Sequence, residues 1–333
     1  MSKIEKKNKV MLAMTRDSFI YECIVDNLKF IDKECILLNP PPIRKSLKRK
    51  FKIFFKTKII KSERHIKRYS DHLNEKQIIN KIKSISHEIE SCLMIRPDIY
   101  SEIIVDTLVN NIENTYAYQW DGLDRFPKVL DYINKFKKLY IYDKYDKGRF
   151  QNTSLITNFY FDCYLTKNIE NPEYDIYYIG VYDDRINDLI KLCEKLNKLN
   201  LKMKILIFCN RKNRGKLNDH AYITEITKGI TYKENLSNVF NAKALLDFSH
   251  KITHTGLSLR PFEALGYSKK LITTNDTIKK YDFYLKENTL VFNNDISTES
   301  INSFLKKPYR KVQDSIFKRH SFSEWFKYIT NDK

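Results

Sequence analysis

Val10-Met11-Leu12-Ala13-Met14 is a short apolar run, and Glu34-Cys35-Ile36-Leu37-Leu38 is a second one. Between the two runs, apolar residues recur at helical spacing at Phe19, Cys23, Ile24 and Leu28. Short apolar runs that are separated by helical patterns are typical of buried parallel strands. The chain is therefore predicted to open with a β-α-β unit, which three prolines at 40–42 bring to an end.

The same alternation continues in two series. The first series predicts strands at 92–95, 116–120 and 139–142, with helices at 102–109 and 127–136. The second series starts near residue 172 and predicts strands at 176–180, 204–208, 244–248, 271–273 and 290–292, with helices at 184–196, 236–241 and 261–266. We therefore predict an α/β fold with two tandem Rossmann-like domains and a cleft between them. The predicted domains are residues 1–168 and 169–310, and residues 311–333 hold a last helix.

Composition excludes several classes of protein. Seven glycines are too few and too scattered for the glycine pattern of a dinucleotide site or a P-loop. Six cysteines without zinc-ligand spacing indicate reduced thiols and a cytoplasmic protein. The chain starts without the apolar run of a signal peptide and has no run of 18 apolar residues, so we expect it to be soluble or to lie on a membrane.

The most informative stretch for function runs from Leu246 to Asn275. A loop with Gly256 leads into a predicted helix, whose first backbone N–H groups attract phosphate. Arg260 adds a forked cation suited to a diphosphate. Glu263 lies about one turn further on and is expected to be an exposed carboxylate that accepts hydrogen bonds from ribose hydroxyls. The alternative interpretation is an ordinary capped helix between two strands.

This stretch resembles the donor domains of GT-B glycosyltransferases from bacterial surface-polysaccharide clusters, those for capsule and lipopolysaccharide. Such domains carry Leu-Asp, a short loop, Gly-Leu-Thr/Ser-x-Arg-x-x-Glu-Ala-Leu and then Lys-Lys-Leu-Ile-Thr-Thr-Asn, as residues 246–275 do. The resemblance implies a metal-independent hexosyl- or deoxyhexosyltransferase that uses a nucleotide-sugar donor as substrate and needs no cofactor. The residues assigned in this way to the donor are Gly180, His254, Gly256, Leu257, Ser258, Arg260 and Glu263.

The resemblance also implies which substrate each domain binds. The C-terminal domain would bind the nucleotide-sugar, and the N-terminal domain would bind a glycan or lipid-linked acceptor. In such folds the last helix crosses back to the N-terminal domain, and Ser321 to Phe326 is a suitable candidate for it.

A second element, Trp120-Asp121-Gly122-Leu123-Asp124-Arg125-Phe126-Pro127, follows a predicted strand. Ligands of open α/β sheets bind at the carboxyl ends of strands. The element is similar to Trp-Asp-Ser-x-x-Arg-x-Pro in the same enzymes, with Gly122 where serine is usual. This similarity implies catalytic roles for Asp121 and Arg125, with Asp121 as a general base or as a holder of an acceptor hydroxyl. The alternative is that Asp121 or Asp124 only caps the following helix.

The tripeptide Ile95-Arg96-Pro97 ends another predicted strand. Similar enzymes have Ile-Arg/Lys-Gly at this place, which implies that Arg96 faces the cleft and neutralises phosphate. A surface cation is the alternative interpretation of Arg96.

The basic charge has two competing explanations. The formal net charge of +19 implies an anionic partner, although AT-rich coding alone also enriches a chain in lysine. The stretch from Arg44 to Arg68 holds twelve Lys and Arg residues, one acid and an apolar stripe at helical spacing. This pattern predicts a basic amphipathic helix, which either contacts anionic membrane or packs on its own domain.

The alternative function is a basic nucleic-acid-binding protein without catalytic activity. Such a protein would use tyrosine and phenylalanine rings for stacking and lysine or arginine for phosphate. Most aromatic residues here lie in apolar strand runs and do not alternate with arginine in loops. We therefore expect no nucleic-acid partner. The histidines and cysteines lack metal-ligand spacing, so no metal site is expected either.

Overall fold

The computed structural model describes residues 8–15, 19–38, 75–167, 169–249 and 256–331. These residues divide into two compact units. The first unit is built from the described residues within Met1–Thr15, Asp32–Tyr140 and Phe150–Ser154. The second unit is built from those within Arg16–Ile31, Ile141–Arg149 and Leu155–Lys333.

The first unit contains a six-stranded sheet. Its strands are β1 (Lys9–Ala13), β2 (Glu34–Leu37), β3 (Ile89–Ile95), β4 (Thr115–Gln119), β5 (Lys138–Ile141) and β6 (Thr153–Leu155), in the order β2-β1-β3-β4-β5-β6. Strand β1 pairs in parallel with β2 and β3, and β3 pairs in parallel with β4. The helix α1 (Ile20–Phe30) joins β1 to β2 but belongs to the second unit, while α2 (residues 75–85) and α3 (Glu102–Asn111) belong to the first.

The second unit contains another six-stranded sheet. Its strands are β7 (Tyr174–Val181), β8 (Met203–Phe208), β9 (Ile223–Ile226), β10 (Ala242–Asp247), β11 (Lys270–Thr273) and β12 (Thr289–Val291). Its helices are α4 (Ile186–Asn197), α5 (Tyr232–Phe240), α6 (Leu259–Gly266), α7 (Thr298–Lys306), α8 (Asp314–Arg319) and α9 (Phe322–Thr330). The strand order is β12-β11-β10-β7-β8-β9, and all five pairings are parallel. This is the doubly-wound order of a dinucleotide-type fold, with its switch point between β7 and β10.

These two sheets confirm the predicted α/β class with two tandem Rossmann-like folds. Each predicted strand is present, and its bounds shift by three residues at most. Strands β6 and β9 and helices α7 and α8 were not predicted, because they are short or lack a continuous apolar run. The predicted helix at 127–136 is a 3-10 helix over Pro127–Lys135.

Helix α1 is fixed to the second unit through a buried amide. The Asn27 side chain is fully buried, and its Nδ2 donates to Ser323 Oγ of α9 at 3.1 Å. Its Oδ1 accepts from the backbone N–H of Cys163 at 3.1 Å. A buried amide whose donor and acceptor are both satisfied fixes the position of its helix. The last helix, which lies where the sequence predicted it, therefore packs on a helix from the first tenth of the chain.

The six thiols are free, and four of them are buried. Burial raises the pKa of the Cys23 and Cys35 thiols to about 12, so both stay protonated at neutral pH. Within the described ranges, no helix is long and apolar enough to cross a membrane. The predicted basic helix at 44–68 lies outside the described residues.

Candidate functional site

A cavity of about 380 Å³ opens in the second unit where the strand order reverses. Strands β7 and β10 are neighbours there, and ligands of open α/β sheets bind beside the carboxyl ends of such strands. We call this space the switch-point cavity; its lining includes Tyr178, Gly180, Arg185, Tyr232, Asn235, Asp247, Ser258, Arg260 and Glu263. Four residues assigned to the donor from the sequence thus come together: Gly180, Ser258, Arg260 and Glu263.

Three helices begin at this cavity. Arg185 precedes α4, Thr231 caps α5 and Ser258 caps α6 with its side-chain oxygen. Free N–H groups and aligned peptide dipoles make each helix N-terminus electropositive. Three such ends around one cavity favour an anionic ligand.

Arg260 is the buried cation of the switch-point cavity. Its side chain is 12% exposed, and its Nη1 lies 3.1 Å from Glu263 Oε2 and 3.4 Å from Asn235 Oδ1. The guanidinium also lies over the Tyr177 ring, 5.4 Å from its centroid. Burial lowers the pKa of Arg260, but Glu263 together with Tyr177, Tyr232 and Asp247 holds this pKa above its ordinary value. Its Nε and Nη2 bond no residue among those the structure describes, so this edge of the guanidinium is available to a ligand.

Glu263 is buried, and the expectation of an exposed carboxylate was wrong. Its residue exposure is 2%, and its Oε1 accepts from Tyr232 Oη at 2.6 Å and from Asn235 Nδ2 at 3.0 Å. Its Oε2 is shielded from solvent, and Arg260 is its ion-pair partner. The reason is that α6 presents this face to α5, so that Glu263 occupies the space between the two helices. In this structure Glu263 positions Arg260; a contact with a ribose hydroxyl stays a prediction.

Tyr232 and Asn235 are site residues that the sequence reasoning missed. The predicted helix began at residue 236, whereas α5 begins at Tyr232. A capping box explains the earlier start, because Thr231 accepts from the Glu234 N–H and the Glu234 carboxylate accepts from the Thr231 N–H. The pattern Thr231-Tyr232-Lys233-Glu234 is visible in the sequence and would have placed Tyr232 at the helix start.

Asp247 holds the loop that enters α6. Its Oδ1 accepts from Ser258 Oγ at 3.0 Å, and its Oδ2 accepts from Thr273 Oγ1 at 2.7 Å. Burial raises the pKa of this carboxyl, although both hydroxyl donors act to lower it. Asp247 thus ties the end of β10 to the end of β11 and to the cap of α6. This gives a physical role to the Leu-Asp pair of the sequence motif.

Two other residues assigned to the donor, Gly256 and Leu257, lie outside the lining of the switch-point cavity. An added Cβ at Gly256 would lie 2.5 Å from the Tyr142 ring and 2.7 Å from the Tyr142 carbonyl oxygen, so only glycine fits there. Leu257 is 2% exposed, and its carbonyl accepts from Asn158 Nδ2 at 2.8 Å. These two residues shape the loop and are not part of the cavity lining. His254 lies outside the described residues.

In the first unit, the structure brings Arg96, Asp121 and Arg125 together. Arg96 donates to both oxygens of Asp98 at 2.7 Å and to Asp121 Oδ2 at 2.7 Å. Arg125 donates to Asp121 Oδ1 at 2.9 Å. Arg96 takes a left-handed backbone conformation with φ 59°, which is uncommon for a residue with a side chain, and its guanidinium lies 3.9 Å from the Phe126 ring centroid.

This ionic cluster answers two of the alternatives left open by the sequence. Arg96 is not a surface cation, because its side chain is 19% exposed and two carboxylates hold it. Neither Asp121 nor Asp124 occupies an N-cap position, because the 3-10 helices at Leu123–Arg125 and Pro127–Lys135 have Gly122 and Phe126 there. Each Asp121 oxygen accepts from one arginine, and each oxygen keeps a second lone pair.

Across the residues that the structure describes, no group of three His, Cys, Asp or Glu side chains is placed to hold a metal ion. His320 is a core residue, as expected for an isolated histidine, with its Nε2 2.8 Å from Asp282 Oδ1.

Comparisons with known proteins gave matches among solved structures. No family model and no curated protein matches the chain. UGT2 of Phytolacca americana complexed with UDP-2-fluoro-glucose and pterostilbene matches at 9% identity and a TM-score of 0.46, covering 99% of this chain and 94% of its own. MurG of Acinetobacter baumannii matches at 9% identity and a TM-score of 0.42, covering 94% of this chain and 98% of its own. The glycotransferase of kitacinnamycin matches at 7% identity and a TM-score of 0.41, covering 98% and 95% respectively. These are likenesses at TM-scores below 0.5, and the fold described above rests on the two sheets themselves.

Proposed function

We propose that the protein is a glycosyltransferase that binds a nucleotide-sugar donor in the switch-point cavity. The observation that carries this proposal is the arrangement of Arg260. One edge of its buried guanidinium is held by Glu263 and Asn235, and the other edge bonds none of the described residues. A pre-positioned guanidinium edge among three helix N-termini suits a diphosphate. The guanidinium and the helix N-termini both offer N–H donors to phosphate oxygens. The motif over residues 246–275 supports the same assignment.

The proposed chemistry is displacement of the nucleoside diphosphate from the sugar by an acceptor hydroxyl. Negative charge develops on the leaving diphosphate as the bond to the sugar breaks. Arg260 and the α6 N-terminus would stabilise that charge, and donors that are fixed beforehand need little reorganisation in the transition state. The Glu263 carboxylate and the Tyr232 hydroxyl keep Arg260 in place. No metal ion is required for this step in the proposal.

We propose that the first unit binds the acceptor near the cluster of Arg96, Asp121 and Arg125. Two arginines hold the Asp121 carboxyl group in one orientation. A carboxylate held in this way can orient an acceptor hydroxyl or accept its proton. Arg96 keeps two unused N–H groups, since Asp98 and Asp121 take three of its five.

The finer features of the proposal rest on the resemblance of residues 246–275 to enzymes of surface-polysaccharide clusters. We propose a hexosyl or deoxyhexosyl donor, a glycan or lipid-linked acceptor, and action in the cytoplasm at the inner face of the membrane. The basic stretch at 44–68 would supply the contact with anionic lipid.

A donor panel tests the proposal. The purified protein is incubated with nucleotide-sugars of several bases and sugars, and release of nucleoside diphosphate is measured with and without saccharide acceptors. We expect one donor to release its nucleoside diphosphate in the presence of the wild type. Arg260→Lys should lose this activity, because lysine keeps the positive charge but lacks the forked guanidinium. In parallel, the protein is applied to a nucleic-acid column at moderate salt. Retention there without any donor turnover would support the nucleic-acid-binding alternative and refute the enzyme.

A further inference from the structure

A second and larger cavity, of about 830 Å³, lies in the second unit and shares no lining residue with the switch-point cavity. Its walls come from the 3-10 helices at Lys144–Asp146 and Asp276–Lys280, from residues 155–157 and from α8 and α9. We call it the lysine cavity, after Lys144, Lys280 and Lys318, which line it.

The acids in the lysine cavity are already neutralised. Asp282 accepts from Arg319 Nη1 at 2.9 Å through one oxygen and lies 2.8 Å from His320 Nε2 through the other. Glu324 lies 3.7 Å from Lys327. By contrast, none of the three lysines forms an ion pair or a hydrogen bond with any residue that the structure describes. The three ammonium groups of this cavity therefore form no close ion pair, although the charge of Lys318 lowers the pKa of Asp314 on the same helix.

Two of these lysines, Lys144 and Lys280, also repel each other. Burial lowers the pKa of Lys144, and the charge of Lys280 lowers it further. The Lys144 ammonium lies 4.1 Å from the centroid of the Tyr281 ring, which is the only partner found for it among the described side chains. Like charges at close range destabilise a fold, and a bound anion removes this cost.

The floor of the lysine cavity is aromatic and fixed. Trp325 is 3% exposed, and its Nε1 donates to the Thr157 carbonyl at 2.9 Å. Tyr328 on the next turn of α9 is 57% exposed. Flat apolar surfaces beside cations bind ligands that combine a ring with an anionic group.

We propose that the lysine cavity is a binding site for a small phosphorylated ligand that carries two or more negative charges. The three unpaired lysines would hold its phosphate oxygens, and Tyr281, Trp325 and Tyr328 would contact its ring. The site is separate from the proposed donor site, because the two cavities have no residue in common.

Isothermal titration calorimetry of the full chain with inorganic pyrophosphate tests this assignment, since it measures the affinity and the number of binding sites. We expect Lys280→Gln with Lys318→Gln to weaken one class of sites by about tenfold or more for each lysine. The matched control is Lys279→Gln with Lys306→Gln, which removes the same charge from positions that are exposed, as Lys280 and Lys318 are, but lie outside the cavity. If Arg260 also binds pyrophosphate, the wild type has two sites, and Arg260→Lys loses the site in the switch-point cavity but keeps the site in the lysine cavity. If the proposed function fails, the wild type has a single site, and the lysine variant still loses it.

Two results would overturn the proposal. One is pyrophosphate binding that is equal in the lysine variant and its charge-matched control. The other is a lysine variant that binds pyrophosphate as the wild type does but no longer binds vesicles that contain phosphatidylglycerol. That result would make the surface a lipid contact. Thermal unfolding of both variants in the absence of ligand confirms that the fold is retained.

Discussion

Arg260 and Glu263 form an ion pair of 3.1 Å inside the second unit, one helical turn apart on α6. The pair is nearly closed to solvent, at 12% and 3% side-chain exposure. The two residues that the sequence motif marks for a ligand therefore also stabilise the fold. Substitutions at this site affect stability and binding together, and each test needs a variant that separates the two effects.

We predict that Glu263→Ala destabilises the protein by about 3 kcal/mol, because it leaves a buried arginine without its partner. Tyr232 and Asn235 would also lose an acceptor. Urea denaturation measures the free energy of unfolding. Glu170→Ala, at an exposed position, is the control and should have little effect. Equal stability of the two variants would contradict the buried pair.

We predict that a nucleoside diphosphate raises the melting temperature of the wild type through mass action on the folded state. At a ligand concentration of 100 times Kd, this stabilisation is about 2.7 kcal/mol. Arg260→Lys keeps the charge beside Glu263 but loses the fork, so most of the shift should disappear. Arg214→Lys is an exposed control and should keep the full shift. A full shift in Arg260→Lys would move the phosphate contact elsewhere.

Asp121→Asn should reduce kcat by a hundredfold or more, to about the extent seen when a general base is lost. A fall that appears mainly in KM would instead indicate a role in holding the acceptor hydroxyl. Asp124→Asn is the neighbouring control. Unchanged kinetics in Asp121→Asn, with a folded protein, would show that the cluster with Arg96 and Arg125 is structural.

Lys269 gives a pH-dependent prediction. Its side chain is 5% exposed, its Nζ donates to the Phe240 carbonyl at 2.8 Å, and burial lowers its pKa from 10.5 to about 8. Between pH 8 and 10.5 the unfolded chain binds more protons than the folded one, so the free energy of unfolding rises with pH in this window. Below pH 8 the amine is protonated in both states, and this contribution stays constant at its lowest value. Removal of the amine in Lys269→Met abolishes this contribution.

Urea denaturation of wild type and Lys269→Met at pH 7 and pH 9.5 measures the effect. The wild type should gain about 2 kcal/mol relative to the variant over this range. The comparison cancels the titration of thiols and other groups, which both proteins share. A difference that does not change with pH would show that the amine is hydrated in the folded state.

The basic stretch at 44–68 should bind vesicles of anionic lipid and release them as salt rises, since the attraction decays within a Debye length of about 8–10 Å. Phe51→Ser with Phe54→Ser should weaken binding even at low salt, because the apolar stripe then loses its contact with the acyl chains. Flotation with anionic and neutral vesicles measures both effects. Normal binding by the double variant would make the stripe a packing surface.

The sequence was sufficient for the two sheets because buried parallel strands are short continuous apolar runs, as in Val10 to Met14. The resemblance to donor domains grouped Gly180, Ser258, Arg260 and Glu263, and these four residues do line one cavity. It failed for the burial of Glu263, because that depends on which face of α6 meets α5. A tertiary contact of this kind leaves no pattern in the local sequence, because the two contacting segments are far apart along the chain.

The ion pairs of Asp121 illustrate the same limit. The spacing of Asp121 and Arg125 suits an ion pair within one turn, but Arg96 comes from another strand. Only the fold brings it within reach. The unpaired lysines of the lysine cavity are equally invisible in the sequence, where they are three lysines among many.

The hydrogen bond between Asn27 and Ser323 has a consequence for the order of events during synthesis. Helix α1 leaves the ribosome early, whereas α9, on which its buried amide depends, is made 296 residues later. At roughly 5–20 residues per second this delay is on the order of 15–60 s. Over that interval the apolar face of α1 has no native partner on α9. Until α9 is made, the side of α1 that faces Ser323 therefore stays open to other contacts of the nascent chain.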